Sequence, residues 1–569
     1  MSDMILAEGR VRFRPNWPAW SGAALIAVVG AVSLTPVVYI LVDSFNVASQ
    51  IEPWKFGWDG WASAFGNRNT VSAMGYSFLL TIRSVIGIAI AFIVSWLLVR
   101  FRIPGSRFVE VSLLIGFFLP ALPLALSWIL LLDGNYGLLN QLLAPLGIRF
   151  NVYSISGIIW VHLTATIIPV MTILLTPALR QLDASLEEAA RVSGAGPLFT
   201  IRRVVLPVLA PALMTVFLAG VIRGLEAFEI EQLLGTRVGI FVYATRIYEL
   251  IQNEPADFPQ AMALSTLFLG VLVLLAMLYQ RAVGHRQIAT ITGQGVSFRR
   301  MELGRSRYVI SAVLVLFVLV GIYLPFAVLL IGSFMKLFGF FHIDDPYTLE
   351  FWSGVLNDQA FLSSLQSSII LGLCAAGLGV IIYSLLAYAL VRSSIWYKDA
   401  LNILVWLPWA VPGILLGLSF LSLMLSVPAF YPLYGTYGIL IVVLVVKEMP
   451  IGVHMLKTAL IQISEELEQV GKVCGARWLF NYRRIILPLM SPMLVSIFAI
   501  AFMAAVKDIS TIVLLGSGST RPLSLLMLSY AMGGETQAAA IIGVILSFLG
   551  VIVALVTRRF GIRLGTESH

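Results

Sequence analysis

The chain has 569 residues, 59% of them hydrophobic and 12% charged, with a mean hydropathy of +0.94. Soluble domains are about 45–50% apolar and about 25% charged, so a soluble enzyme, a disordered chain and a nucleic-acid-binding protein are all excluded. The net charge of +8 is scattered between long apolar runs, and the two cysteines, Cys374 and Cys474, are too few for a disulfide framework or a zinc site.

Arg10, Arg12 and Arg14 precede the first apolar window, near 19–42. That start is similar to a signal peptide, but the apolar run is too long and lacks a clear small-residue cleavage site, so it reads as a membrane span. Five more windows follow near 74–99, 110–132, 154–178, 205–225 and 261–280, each about long enough for a bilayer core. A polar, basic stretch at 281–307 interrupts them. Six further windows lie near 308–333, 367–391, 400–426, 434–457, 486–506 and 538–557. Pro120, Pro123, Pro408 and Pro412 predict kinks in the third and ninth windows. The expected fold is an all-α polytopic membrane protein.

Lys and Arg set the orientation. With the N-terminus in the cytoplasm, the inside segments hold 26 basic residues and the outside segments 7. Both termini are therefore expected in the cytoplasm, and the basic balance implies no nucleic-acid partner.

The two sets of six windows repeat. At an offset of 281, Gly157 matches Gly438, Pro169 matches Pro450 and Gly194 matches Gly475. Arg202-Arg203 matches Arg483-Arg484, Leu206-Pro207 matches Leu487-Pro488, Pro211 matches Pro492, and Leu233-Leu234-Gly235 matches Leu514-Leu515-Gly516. Earlier segments align at 288 or 289, as Leu119-Pro120 with Leu407-Pro408 and Ser44-Phe45 with Ser333-Phe334. Six spans is an even number, so the repeats are parallel and a solute path would run between them. The expected organisation is a first half at 1–280, a cytoplasmic linker at 281–307 and a second half at 308–569.

The most informative segment joins the fourth and fifth windows. It reads Glu187-Glu188-Ala189-Ala190, three residues, Gly194, nine residues, then Val204-Val205-Leu206-Pro207. It predicts a short amphipathic helix, a glycine break, a second short helix and a proline-started span. This pattern resembles the EAA loop of permease subunits of binding-protein-dependent ABC importers. A second copy keeps Gly475, Ile485, Leu487 and Pro488 but has Gln469-Val470-Gly471 in place of Glu-Ala-Ala, with Glu468 one position earlier. The resemblance implies the type I importer transmembrane fold. It also implies that both loops dock ATPase subunits, the second loop less fully because Gly471 weakens its helix.

The chain lacks a phosphate-binding loop. Its only Gly-Lys pair, Gly471-Lys472, is followed by Val473, with Glu466 where the first glycine is required. No catalytic residue or metal ligand is assigned, and the five histidines (His162, His285, His342, His454 and His569) lack metal-ligand spacing and read as structural or interfacial. ATP and Mg are expected on a partner ATPase, and this chain is expected to bind no cofactor itself. Ionisable residues inside the membrane are costly and mark candidate path or gate positions. They are Glu226, Lys447, Glu448, Lys507 and Asp508, with Glu226 and Lys507 at equivalent positions.

The fused two-half arrangement resembles ferric-iron permeases, with similar fused chains in thiamine and 2-aminoethylphosphonate importers. The resemblance implies two ATPase copies, an extracytoplasmic binding protein and a place in the bacterial inner membrane. Ferric iron is the expected cargo, with 2-aminoethylphosphonate, thiamine or a polyamine as alternatives. A secondary transporter also fits twelve spans in two halves, but would not need paired docking loops.

Overall fold

A computed structural model of the chain describes residues 19–48, 53–284, 302–392 and 397–560. Arg10, Arg12, Arg14, His285, His569 and most of the expected linker lie outside the described residues. Among the described residues, ten helices are long and apolar enough to cross a membrane. In the first half these are Ala24–Asp43, Arg68–Arg100, Ile155–Gln181, Pro197–Leu225 and Phe258–Leu275; in the second, Ser306–Gly332, Gln359–Arg392, Tyr437–Ile461, Trp478–Lys507 and Thr536–Arg559. They are numbered here as twelve spans, with the third and ninth as broken pairs.

Those two windows correct the expectation of kinked spans. The third consists of Ser106–Phe118 and Ala121–Leu132 at 107°, and the ninth of Lys398–Ala410 and Gly413–Ser426 at 101°. The cause is local. A proline ring disfavours helical geometry in the residue before it. Leu119, before Pro120, and Val411, before Pro412, are both extended. The second limbs are buried nearly all round, including every residue from Leu122 to Leu132, as expected of helices apolar on all faces.

These buried limbs join the halves crosswise. The limb Ala121–Leu132 packs on the seventh and twelfth spans of the other half, and Gly413–Ser426 packs on the first span. Ser419 donates to the Pro36 carbonyl (3.1 Å), Ser422 to Asp43 (3.2 Å), and Tyr39 to the Ser422 carbonyl (3.3 Å).

Four of the five π-helical turns among the described residues, at 163–167, 201–205, 319–323 and 482–486, each end two residues before a proline. The prolines are Pro169, Pro207, Pro325 and Pro488. A helical proline lacks an N–H and its ring clashes with the carbonyl four residues back. Here that carbonyl belongs to Ala165, Arg203, Gly321 or Arg484, the middle residue of the π turn, which widens the helix where the ring must fit. The fifth span thus begins at Pro197, and its nine-residue approach is continuous with it.

The repeat extends to details after the first and seventh spans. Ser44 and Ser333 cap the preceding turn alike, to the carbonyls of Leu41 (2.8 Å) and Leu330 (2.7 Å). Isolated β-bridges follow in both halves, Asn46 with Phe56 and Met335 with Tyr347, then short helices at Asp59–Gly66 and Glu350–Asn357. The helices Tyr243–Gln252 and Leu523–Gly533 precede the sixth and twelfth spans. None of these four helices is long enough to register in a span-length hydropathy window.

Candidate functional site

The first loop helix spans Ala184–Val192 and the second Glu466–Val473. Asp183 caps the first, its side chain accepting from the Ser185 amide (2.9 Å), and that bond holds its carboxyl below the ordinary range. Both helices end identically. Gly194 and Gly475 have φ of 81°, the next alanine amide bonds back five residues (Ala195 to Ala190, Ala476 to Gly471, both 2.9 Å), and the chain turns towards the fifth or eleventh span. A Cβ on either glycine would meet nothing within 4 Å. The left-handed backbone, rather than any clash within the chain, is therefore what requires glycine here.

Each loop presents the same apolar surface. Val192 is 89% exposed and Val473 84%, and Leu186, Leu198 and Phe199 are exposed in the first loop as Leu467, Leu479 and Phe480 are in the second. All four pairs stand 281 residues apart. Exposed apolar side chains gathered in this way mark a protein or membrane interaction site. Glu188 and Ala189 are exposed on the same helix, and Ala190 is half-buried.

Glu187 and Glu468 do something else. Both are buried, each against an arginine at the C-terminal end of the second or eighth span. Arg100 Nε lies 2.7 Å from Glu187, and the same guanidinium donates to the Leu182 carbonyl (2.9 Å). Arg392 Nε lies 2.8 Å from Glu468 and the guanidinium donates to the carbonyl of Ile463, which is 281 residues after Leu182. Tyr388 adds a bond to Glu468 (2.6 Å). Glu468 is thus the counterpart of Glu187 and no displaced remnant of Glu188, whose position is taken by the half-buried Gln469.

Gly471 has a local cause. A Cβ there would sit 2.3 Å from Asn481 Oδ1, and buried Asn481 donates to the Glu468 carbonyl (3.1 Å). The first loop has Ala190 and Thr200 at these two positions. The smaller residue in the second helix accommodates a larger one beside it. The second loop keeps the apolar face and the glycine turn of the first.

The membrane charges gather where the halves meet. Lys447 pairs with Asp508 and donates to Thr511 (2.8 Å), while Asp508 also accepts the Thr511 amide (3.0 Å). Lys507 reaches across to the first half, donating to the Phe117 carbonyl (3.2 Å) at the break of the third span. Glu226 pairs with Arg223 on its own helix (3.2 Å), so Glu226 and Lys507 do not pair with each other. Arg223 also interacts electrostatically with Glu448 and Asp508 of the second half, and Lys507 with Glu448 and Glu229. All five expected positions therefore share one charged seam with Arg223 and Glu229.

A second cluster was not singled out from the sequence. Arg83 (2.6 Å) and His162 (2.9 Å) both contact Glu231, all three buried, and Arg83 also donates to the Gly224 carbonyl. The visible signal was Arg83 inside an apolar window and Glu231 within an acidic run. The clusters are not duplicated. Val443 and Ile512 stand at the counterparts of His162 and Glu231, and Thr166 and Ala227 at those of Lys447 and Asp508.

The family described as the binding-protein-dependent transport system inner membrane component matches residues 56–288 and again 384–565. The chain belongs to this family. It is a fused two-half permease of the type I importer class and a multi-pass inner membrane protein. It is 28% identical over 415 residues to the ferric transport system permease protein FbpB of Actinobacillus pleuropneumoniae, covering 71% of this chain and 58% of that one. It spans less than two thirds of that relative's length. It is 22% identical over 565 residues to the Fe(3+)-transport system permease protein FbpB 2 of Haemophilus influenzae, covering 96% of this chain and all of that one. The sulfate transport system permease protein CysT of Salmonella typhimurium matches over its full length with 49% of this chain, at 27% identity.

Two outcomes follow for the site. Gly471→Ala overpacks the second loop at a cost of about 1–3 kcal/mol. It lowers the thermal midpoint of the detergent-purified protein, and adding Asn481→Thr restores it; an equal loss in single and double variants would mean that Asn481 does not govern the glycine. Lys447→Met strands a buried Asp508 carboxylate and costs about 3–5 kcal/mol. A Lys447→Met, Asp508→Leu double variant recovers most of that midpoint loss, and a double variant no better than the single would reject the pair as the cause.

Proposed function

We propose that this chain forms the membrane path of an ATP-driven importer, carrying ferric iron from an extracytoplasmic binding protein into the cytoplasm. Each loop helix docks one copy of an ABC ATPase subunit, which holds ATP and Mg and does the hydrolysis. The observation that carries this reading is the doubled apolar face, Leu186, Val192, Leu198 and Phe199 repeated as Leu467, Val473, Leu479 and Phe480. Two equal surfaces on one chain fit two copies of a single partner. The names of the FbpB relatives support iron as cargo. So does the charge of the seam, where Glu226, Glu229, Glu448 and Asp508 outnumber Arg223, Lys447 and Lys507 and favour a cation.

In this reading both termini and both loop helices are cytoplasmic, the halves are 1–280 and 308–569, and 281–307 links them in the cytoplasm. ATP closes the ATPase pair and draws the loop helices together, the halves rock, and the seam opens outward. Hydrolysis resets it.

Three measurements check this. Reporter fusions at Gly105, Ala195 and Gly475 read cytoplasmic, and at Gly60, Ile240 and Asp345 extracytoplasmic; a reversal at Ala195 or Gly475 removes the docking assignment. Native mass gives one copy of this chain with two ATPase copies, and two copies of this chain per complex would reject the fused reading. Proteoliposomes take up radiolabelled iron only with ATP and binding protein present; uptake of 2-aminoethylphosphonate, thiamine or polyamine instead would move the cargo, and ion-driven uptake without ATP would replace the mechanism.

A further inference from the structure

The ion pairs behind the loop helices have no part in docking, because their side chains are buried on the side away from the exposed apolar face. They have a common design. In each half an arginine closing the second or eighth span holds a carboxylate of the loop helix and a carbonyl of the chain leading into it, and Arg392 also holds Glu465 (3.0 Å) and the Leu460 carbonyl (3.2 Å). The carboxylates and carbonyls are repeat equivalents, so the grip is one feature present twice. A guanidinium suits this task, since its planar fork satisfies two acceptors at a fixed angle.

The same spans have a second grip further along. The second span is unbroken from Ile82 to Arg100, and its Arg83 holds Glu231 and the Gly224 carbonyl, beside the Arg223–Glu226 pair of the seam. From Arg83 to Arg100 is 17 residues, about 25 Å along a helix. The eighth span runs unbroken from Gln359 to Arg392. Its buried Tyr383 donates to the Val445 carbonyl (2.6 Å), two residues before Lys447, and packs so closely that a Cβ on Gly452 would lie 2.2 Å from its ring. The second span is thus a stiff helix fastened to a loop helix at one end and beside the seam at the other, and the eighth is fastened to its loop helix at its end and, nine residues back at Tyr383, to the segment that carries Lys447.

We infer that the second and eighth spans are the rods that carry loop-helix movement to the seam, with Arg100 and Arg392 as the positioning residues that join rod to loop. This rests on the proposed importer reading. On it, the loop helix and the end of the rod move as one body through the ATP cycle. Neutralising the grip lets the loop helix follow the ATPase without moving the rod.

The test uses the full complex in proteoliposomes. In a Cys374→Ser, Cys474→Ser background, spin labels at Arg102→Cys and Ser185→Cys, both exposed positions, report the distance between rod end and loop helix. The expected distance is the same without nucleotide and with ATP, and its distribution broadens in Glu187→Gln. Transport per ATP hydrolysed falls about tenfold in Arg100→Gln and Glu187→Gln with hydrolysis retained, and falls less in Arg100→Lys, which keeps the charge on Glu187 but loses the fork. A distance that changes with ATP in the chain with its ion pair intact would overturn the inference by itself, even if every neutralised variant failed to fold. So would unchanged transport per ATP in Arg100→Gln. A complex with an intact ion pair but no ATP-dependent uptake would overturn the importer reading beneath it, and the inference with it.

Discussion

A backbone in hydrocarbon has no water to bond, so every N–H and carbonyl needs a partner within the protein. The whole architecture depends on that constraint. It makes the chain helical, and it dictates where the helices can fail. The breaks at Leu119-Pro120 and Val411-Pro412 release carbonyls that lipid would leave unpaired. Both lie in the interior. Leu119 is buried, the limbs that follow each break are enclosed on nearly all sides, and Lys507 supplies a donor to the Phe117 carbonyl. Elsewhere, prolines are accommodated by widening the preceding turn, so that the helix continues.

Charge in the membrane obeys the same logic at higher stakes. An unpaired buried ion costs several kcal/mol, while a paired one is close to neutral overall. The charges here are paired or gathered: Lys447 with Asp508, Arg83 with Glu231 and His162, Arg223 with Glu226. Some of these groups lie between the halves rather than within one half. Lys507 is the clearest of them, reaching from the second half to a carbonyl of the first.

Much of this was legible in the sequence. Long apolar windows read directly as spans, because a bilayer demands length and apolarity and little else. The repeat and the glycine turns were legible because Gly194 and Gly475 have few chemical substitutes at φ of 81°. Pairing was not. That Glu187 and Glu468 bond to Arg100 and Arg392 depends on contacts about 80 residues apart in sequence, and nothing local marks which carboxylate of Glu187-Glu188 turns inward. Gly471 read as a weak point because propensity treats a residue alone; its reason lies ten residues further on, in Asn481. The prolines announced a disturbance in the third and ninth windows but not a turn of more than 100°.

The unequal polar clusters bear on why the two halves share one chain. Two copies of the first half would bring together two Arg83–Glu231–His162 clusters and no Lys447–Asp508 pair, and two copies of the second half the reverse. Both self-pairings would still have a broken span whose buried limb reaches into the other half, so assembly alone would discriminate poorly among three possible dimers. A covalent link raises the effective concentration of the unlike partner to roughly millimolar and makes the mixed pairing the default. Fusion here acts as a sorting device, letting each half specialise its interior without losing its counterpart to a twin.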